Sequence, residues 1–307
     1  MYNQLYESEK PVERFLFIVN PVSGSGRAKA EFEAVKPLLA ARGVPYDAVY
    51  TEYPGHAAKI AADAVASGCR RVVAVGGDGT LSETASALVY TDAALGALPL
   101  GTGNDLTRVA RFPAKPADAV ANLVAGNIVK MDAAEANGLF FINVAGFGFD
   151  ADVLAKTLKH KQKHPRGMTP YLLGILDALK HLRPIRMVIE HDGERVETEA
   201  IILTVGNGQY FGGGMRAVPM ADLFDGYLDC VYVEKIGVPR FLMLLPGFLK
   251  GRHIKNPIVH HFRTKELRVE TGEACVLDYD GDLRSSTPAV FRVLPGALNV
   301  LLPGDAR

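Results

Sequence analysis

The chain has 307 residues, with 34 Lys plus Arg against 34 Asp plus Glu, and 48% of it is hydrophobic. Zero net charge excludes a surface built throughout to grip nucleic acid, and equally an acidic, disordered chain. The length suits about two domains of roughly 150 residues each, and the apolar stretches fall short of the ~18 residues needed to span a bilayer.

The predicted elements alternate at first. Residues 15–19 form a short apolar run before a turn signal, as a buried strand does. A Gly-rich loop covers 20–26, and 28–41 predicts a helix that closes at Gly43, with a kink at Pro37. A strand follows at 46–50, an Ala-rich helix at 57–66 and a strand at 71–75. A second Gly-rich loop at 76–79 leads to a helix over 81–89. A short strand at 98–100 leads through a third Gly-rich loop into another helical stretch. Such alternation predicts a parallel sheet covered on both faces.

Beyond residue 132 strand-like runs follow one another, at 139–145, 186–190, 200–205, 228–233, 267–270, 275–279, 289–294 and 298–301. Helical patterns interrupt them at 171–182 and 238–249, and Asp192-Gly193 is a hairpin signal. The fold expected is an α/β nucleotide-binding domain over 1–131 and a β-rich, β-sandwich-like domain over 132–307. Whether the last strand returns to the first domain stays open. The polar start at 1–14 does not read as a secretory leader. Cys69, Cys230 and Cys275 are odd in number and widely spaced, which fits reduced thiols in the cytoplasm.

Three loops share one design: Pro21-Val22-Ser23-Gly24-Ser25-Gly26, Gly76-Gly77-Asp78-Gly79-Thr80 and Gly101-Thr102-Gly103-Asn104-Asp105. Each follows a predicted strand and leads into a helix. Open parallel sheets bind ligands beyond the carboxyl ends of their strands. Glycine lets backbone approach phosphate closely, and helix N-termini offer unpaired N–H groups. Singly, each loop reads as an ordinary turn; together they predict a phosphate site. Neither the P-loop pattern nor a complete dinucleotide fingerprint is present. Asp78 and Asp105 are the distinguishing acids. A carboxylate beside phosphate is repulsive unless a cation lies between them, so the pair points to Mg²⁺.

With Leu81-Ser82-Glu83 following it, the Gly76–Gly77–Asp78–Gly79–Thr80 segment resembles the diacylglycerol kinase family of lipid kinases, related to the sphingosine kinases. The first and third loops are similar to that family's loops. So are Gly146-Phe147-Gly148-Phe149-Asp150-Ala151, the Asn207 to Met215 segment, Asp225-Gly226-Tyr227-Leu228-Asp229 and Asp280-Gly281-Asp282. The matches run in order along most of the chain. The resemblance implies a two-domain kinase with ATP in the cleft between the domains. It implies nucleotide contacts from Asn20, Pro21, Ser23, Gly24, Thr51, Gly77, Asp78, Gly79, Thr80, Glu83 and Thr102. It also implies a structural Mg²⁺ at Asp225, with main-chain carbonyls of Asp222 and Tyr227, linked through water and carboxylates to Asp78, Asp105 and Asp132. The catalytic base of the family falls at Asp282, with Asp78 and Asp105 beside it.

Two positions depart from the family. Ser82 replaces the usual Asn, and its hydroxyl can still cap a helix. Asp282 replaces the usual Glu and is one methylene shorter; a displacement of ~1 Å can cost about 100-fold. Either the backbone compensates, or activity is weak, or the base lies elsewhere, Asp280 being the nearest alternative.

The function expected is transfer of the γ-phosphoryl of ATP to a lipid hydroxyl, diacylglycerol first. Phosphatidylglycerol, sphingosine and ceramide are alternative acceptors, and a weakly active lipid- or nucleotide-binding regulator is an alternative role. A kinase of a soluble alcohol, as in the NAD kinases, is disfavoured by the motifs from Asn207 onward. Two basic zones, Lys156 to Arg166 and Lys250 to Arg268, flank the apolar stretch 241–249 in sequence. They predict peripheral contact with an anionic membrane, unless the stretch is simply core. The expected partners are ATP, lipid and that membrane, not nucleic acid; a homodimer stays open.

Overall fold

The structure, a computed structural model, describes residues 13–101, 103–161, 169–285 and 287–304. The first half runs β1 (Phe15–Val19), the single turn α1 (Ser23–Gly26), α2 (Ala28–Ala41), β2 (Tyr46–Tyr50), α3 (His56–Ala66), β3 (Arg71–Gly76), α4 (Asp78–Ser86), β4 (Ala94–Pro99), α5 (Asp105–Val109) and α6 (Pro116–Ala125). β1 pairs in parallel with β2 and with β3, and β3 with β4. Side chains two apart on a strand share a face. Ile18, Val72, Ala74 and Leu95 therefore pack with Ile60, Leu81 and Ala85 of α3 and α4. Phe17, Val19, Val73 and Val75 pack on the other face with Phe32, Leu39, Val120 and Leu123 of α2 and α6. Pro37 lies inside α2, which continues past it to Ala41.

The second half runs β5 (Ile128–Ala136), β6 (Leu139–Phe141), β7 (Val144–Gly148), α7 (Phe149–Lys161), α8 (Thr169–Lys180), β8 (Ile185–His191), β9 (Glu194–Gly206), β10 (Leu228–Glu234), α9 (Val238–Lys250), β11 (Val259–Thr264), β12 (Glu266–Thr271), β13 (Val276–Tyr279), β14 (Asp282–Ser285) and β15 (Ala289–Leu301). β8 and β9 pair from His191 opposite Glu194, and the turn between them is Asp192-Gly193, both at positive φ, as a two-residue hairpin requires. Their inward residues, with Phe141, Phe147, Leu267, Leu277 and Phe291, form one aromatic-rich core. α7, α8 and α9 cover a separate apolar cluster with Ile202, Val231 and Val233 of β9 and β10.

The predicted runs 289–294 and 298–301 are one strand, β15. Its register against β5 shifts between Leu294 and Leu298, where Pro295-Gly296 forms an irregularity. Its start pairs with β12, and its end pairs in parallel with β4 at Asn299 opposite Ala94. β15 thereby joins the strands of both halves in one sheet. The run 139–145 is two strands, and β5, β11, β14, α6 and α7 add elements that the pattern did not signal.

Candidate active site

The carboxyl ends of β1, β3 and β4 bring the three glycine loops to one edge of the sheet. They meet backbone on backbone. A Cβ on Gly101 would lie 2.3 Å from the Cα of Gly77, and one on Gly24 would lie 2.4 Å from the carbonyl oxygen of Leu100. Only glycine allows both approaches. Asn20 stitches the first loop to the second: its Nδ2 donates to Thr80 Oγ1 at 3.0 Å, and its Oδ1 accepts from the Val22 N–H at 3.2 Å. Asn104 closes the third loop by accepting from the Gly101 N–H at 3.1 Å.

Opposite these loops stand β7, β13 and the 207–215 segment, and between them is a cavity of about 430 Å³. Among the described residues its wall carries five aspartates (Asp78, Asp105, Asp150, Asp278 and Asp280) and no lysine or arginine. Burial pushes all five carboxyls above their ordinary value. Asp105 rises to about 6, through burial and then the neighbouring Asp78, although the Gly213 N–H donates to it at 2.7 Å. Arg108 approaches it at 3.3 Å from outside the cavity wall. Asp150 rises to about 7, almost wholly through burial. Burial likewise lifts the phenol of Tyr171 to about 12, so that it stays a neutral donor at physiological pH.

Asp280 is spent on structure. Its carboxylate accepts the N–H groups of Ile142, Asn143 and Val144 at 2.7 to 3.0 Å, and the Ser82 hydroxyl at 2.9 Å. Both oxygens are occupied, which leaves Asp280 unsuited to proton transfer. Ser82 does not cap its helix: α4 begins at Asp78 with Gly77 as N-cap, so Ser82 sits a turn later and reaches Asp280 instead.

The expected nucleotide residues fall into groups. Ser23, Gly24, Gly77, Asp78 and Gly79 line the cavity. Glu83, with Gly79, lines an adjoining groove, and its carboxylate accepts from the Gly55 and Ala57 N–H groups at the start of α3. Asn20 and the buried Thr80 hold the loops together. Pro21 and Thr51 stand at the ends of β1 and β2 outside the cavity wall, Thr51 donating its N–H to Val19. Thr102 lies outside the described residues. Asp282 is exposed at the start of β14 and lines the adjoining groove, across Gly281 from the main cavity.

Asp222, Asp225 and Tyr227 sit on a different loop. Asp132 organises it, accepting from the Gly226 N–H and, through the irregularity in β15, from the Gly296 N–H, both at 2.7 Å. Asp225 accepts from the Tyr227 N–H at 3.0 Å and faces the Arg263 guanidinium with its other oxygen. A cation at Asp225 has to share that carboxylate with Arg263. Asp78 and Asp105 form a second candidate cradle, in which Asp105 likewise shares its carboxylate, with Arg108 through Oδ1 and with the Gly213 N–H through Oδ2. The absent side chain of Gly103 leaves the gap between them: a Cβ there would lie 2.6 Å from Asp78 Oδ2 and 3.7 Å from Asp105 Oδ2. Among the described residues no group of three or more His, Cys, Asp or Glu could hold a metal. An ion in the cradle would draw its remaining ligands from phosphate and water, as Mg²⁺ commonly does.

Residues 14–136 match the model of the diacylglycerol kinase catalytic domain, and residues 143–302 that of the YegS C-terminal NAD kinase beta sandwich-like domain. A diacylglycerol kinase from Mycobacterium tuberculosis is 33% identical over 293 residues, 93% of this chain and 94% of that protein. The chain belongs to the diacylglycerol kinase family. A Bacillus subtilis diacylglycerol kinase is 30% identical, over 96% of this chain and 98% of its own. A crystal structure of a diacylglycerol kinase from Bacillus anthracis superposes with a TM-score of 0.76 at 26% identity, over 97% of this chain and all of its own. The protein is thus a lipid kinase, with the α/β and β-sandwich-like halves of that family.

Sequence reading gave no role to Asp150, Tyr171 or Asp278 in this cavity. Asp150 stood inside a quoted motif, and its signal was a carboxylate directly after a glycine-aromatic strand. Asp278 carried no such signal.

A carboxyl whose pKa is raised on folding keeps its proton over a range where the unfolded chain has lost it. Its contribution is full below about pH 4 and is gone above the folded value, about 6 for Asp105 and about 7 for Asp150. The ligand-free lipid kinase is expected to lose melting temperature steadily between about pH 4 and pH 7. Asp105→Asn should flatten that slope and raise stability at the alkaline end. A pH series by scanning calorimetry checks this; a wild-type curve that rises over the range contradicts it.

Proposed function

We propose that this lipid kinase transfers the γ-phosphoryl of ATP to the hydroxyl of diacylglycerol. The observation that carries this reading is one cavity in which a glycine-lined edge and the Asp78–Asp105 pair face an apolar slot lined by Phe149, Ile175, Phe241, Leu245 and Phe248. The backbone of Ser23, Gly24, Gly77 and Gly79 is available to the phosphates, since glycine leaves the N–H groups uncovered. Asp78 and Asp105 would hold the Mg²⁺ that accompanies ATP. Bound there, Mg²⁺ supplies neutralisation of the phosphate charge, the main requirement of phosphoryl transfer. Asp225, with the carbonyls of Asp222 and Tyr227, is the second cation site of this reading, in competition with Arg263.

Access to lipid is read from the helices. α9 buries Phe241, Leu244 and Phe248 but exposes Leu242, Met243 and Leu249; α8 exposes Leu172 and Leu176. The stretch 241–249 is therefore core on one face and bare on the other. Lys159 and Lys161 are exposed on α7, and Lys250 and Arg252 are exposed at the end of α9. Lys163, His164 and Arg166 lie outside the described residues. Asp177 tempers the first zone by pairing with His160 at 2.7 Å, and Arg263 and Arg268 of the second are paired with Asp225 and Glu270. No helix of the described residues is long and apolar enough to cross a membrane. Basic charge beside bare leucines is the arrangement of a peripheral binder of anionic bilayers.

Three outcomes are expected. With labelled ATP, Mg²⁺ and a panel of lipid alcohols, diacylglycerol takes the label fastest; faster labelling of ceramide, sphingosine or phosphatidylglycerol reassigns the substrate. Gly103→Ala, which fills the cradle, weakens Mg²⁺-dependent ATP binding at least tenfold in calorimetric titration, with the fold retained; unchanged affinity places the cation elsewhere. Replacing Lys159 and Lys161 together by Ala lowers affinity for phosphatidylglycerol vesicles by about 30-fold, at about 1 kcal/mol for each lysine. Unaltered co-sedimentation moves the membrane face to another side of the molecule.

A further inference from the structure

Away from the cavity, one arginine has two carboxylates within reach and serves only one of them. β10 and β11 pair so that Asp229 stands directly opposite Arg263. Residues opposite each other in an antiparallel pair share a face and lie close enough to interact. The Arg263 guanidinium nevertheless passes Asp229 by. Its Nη2 donates to Asp225 Oδ2 on the 222–227 loop. Its Nε stays 4.0 Å from Asp229 Oδ2, beyond hydrogen-bond length. Asp229 is 2% exposed, and its Oδ1 is paired with His261 Nε2 at 2.7 Å. Among the described residues its Oδ2 is buried with no hydrogen-bond partner. A carboxylate oxygen left in that position is costly, and the donor that would relieve it belongs to the facing residue.

The 222–227 loop also carries the second cation site of the reading above, Asp225 with the carbonyls of Asp222 and Tyr227. An all-oxygen set of this kind suits Mg²⁺, which completes its shell with water. Asp222 and Asp229 both repel the Asp225 carboxylate, so positive charge is favoured beside it. Arg263 and a cation compete for the same oxygen. An arginine fixed on Asp225 would exclude the ion or force two like charges together. Asp229 removes the conflict, because it offers the guanidinium another acceptor on the same face of the sheet.

We propose that Arg263 and a divalent cation exchange places on Asp225, and that Asp229 takes the guanidinium when the cation binds. The inference rests on the cation site of the proposed function and adds the residues that govern its occupancy. While Arg263 holds Asp225 it does the ion's work: it ties the loop to β11, as Asp132 ties it through the Gly226 N–H at 2.7 Å. When the cation takes Asp225 Oδ2, Asp229 Oδ2 gains the donor it lacks. Tyr227 eases the movement. The guanidinium lies 4.4 Å from the centre of that ring and Lys265 Nζ lies 5.1 Å from it, so Lys265 keeps a cation on the ring as Arg263 withdraws. The affinity for Mg²⁺ is then set by the difference between two positions of one arginine, and not by Asp225 alone.

The test titrates the full chain with Mg²⁺ alone, by calorimetry, without nucleotide or lipid. The signal of this site is the binding that Asp225→Ala removes. Arg263→Met takes away the competitor and is expected to tighten that binding about tenfold. It should also lower the melting temperature in EDTA more than in Mg²⁺, because the loop has lost its stand-in for the ion. Asp229→Asn takes away the charge that receives the guanidinium and should weaken Mg²⁺ about tenfold; added to Arg263→Met it should cost no more than about threefold. If Asp229→Asn does not fold, crystals of the wild type grown with and without Mg²⁺ carry the test. With the ion on Asp225, Arg263 should lie within hydrogen-bond distance of Asp229 Oδ2. An ion on Asp225 with Arg263 still bonded to that carboxylate overturns the exchange and leaves the cation site standing. So does an affinity that Arg263→Met leaves unchanged or weakens, or that Asp229→Asn leaves unchanged. A titration that Asp225→Ala does not alter overturns the cation site and the exchange together. Labelling of lipid by the wild type scores the kinase reading separately from both.

Discussion

The energetic problem that organises this molecule is the desolvation of five carboxyls around one cavity with no lysine or arginine in its wall among the described residues. An isolated buried carboxylate is among the costlier things a protein can hold, and it answers by keeping its proton. All five respond in that direction. The acids differ in what relieves them. Asp280 is relieved by three N–H groups and a hydroxyl, and becomes a strut between α4 and β7. Asp105 receives one N–H from the far wall and the partial charge of Arg108. Asp78 receives the Leu106 N–H at 3.3 Å. Asp150 receives one N–H from its own helix. The less a carboxylate is relieved from within, the more it gains from what enters the cavity.

The glycine loops matter because they set this problem on a fixed frame. Gly77 and Gly101 let two loops pack at backbone distance, so the Cα positions of Asp78 and Asp105 are fixed by main chain and not by flexible contacts. The Gly213 N–H on Asp105 ties the second half to that frame. So does the Asp132 carboxylate, which clasps Gly226 and the irregular part of β15. A strand that pairs with β4 at one end and β12 at the other then carries the register of one half into the other. Side chains from both halves meet in the cavity because the sheet is continuous behind them.

The alternating half of the fold was legible because β1 and β3 are bounded apolar runs and α2 and α3 run out at Gly43 and Gly68. The third loop could be read although its helix, α5, has only five residues. β5 escaped because IVKMDAAEA mixes Lys130, Asp132 and Glu135 into a strand whose pairing with β15 supplies its order. α7 escaped because its periodicity is weak and its second half reads as part of the basic zone from Lys156; its order comes from packing on α8. β15 was split by Pro295-Gly296, a turn signal that tertiary pairing overrides. In the site, Ser23, Gly24, Gly77, Asp78, Gly79 and Asp105 were legible because loop chemistry is local. Asp150 and Asp278 were not, because a carboxylate on β13 or α7 looks solvated until the opposite wall is in place. Asp280 shows the converse: a prominent motif acid that the fold consumes as a hydrogen-bond hub.

Equal numbers of acidic and basic residues conceal a separation that the fold makes physical. Asp78, Asp105, Asp150, Asp278 and Asp280 turn inward to the cavity, and Lys159, Lys161 and Lys250 of α7 and α9 turn outward beside exposed leucines. Screening acts unequally on the two sets. Outward charges lie in water and are damped over about 8 Å at physiological salt, whereas buried ones are damped far less. An anionic bilayer can therefore be attracted by the lysines without being repelled by the aspartates behind them.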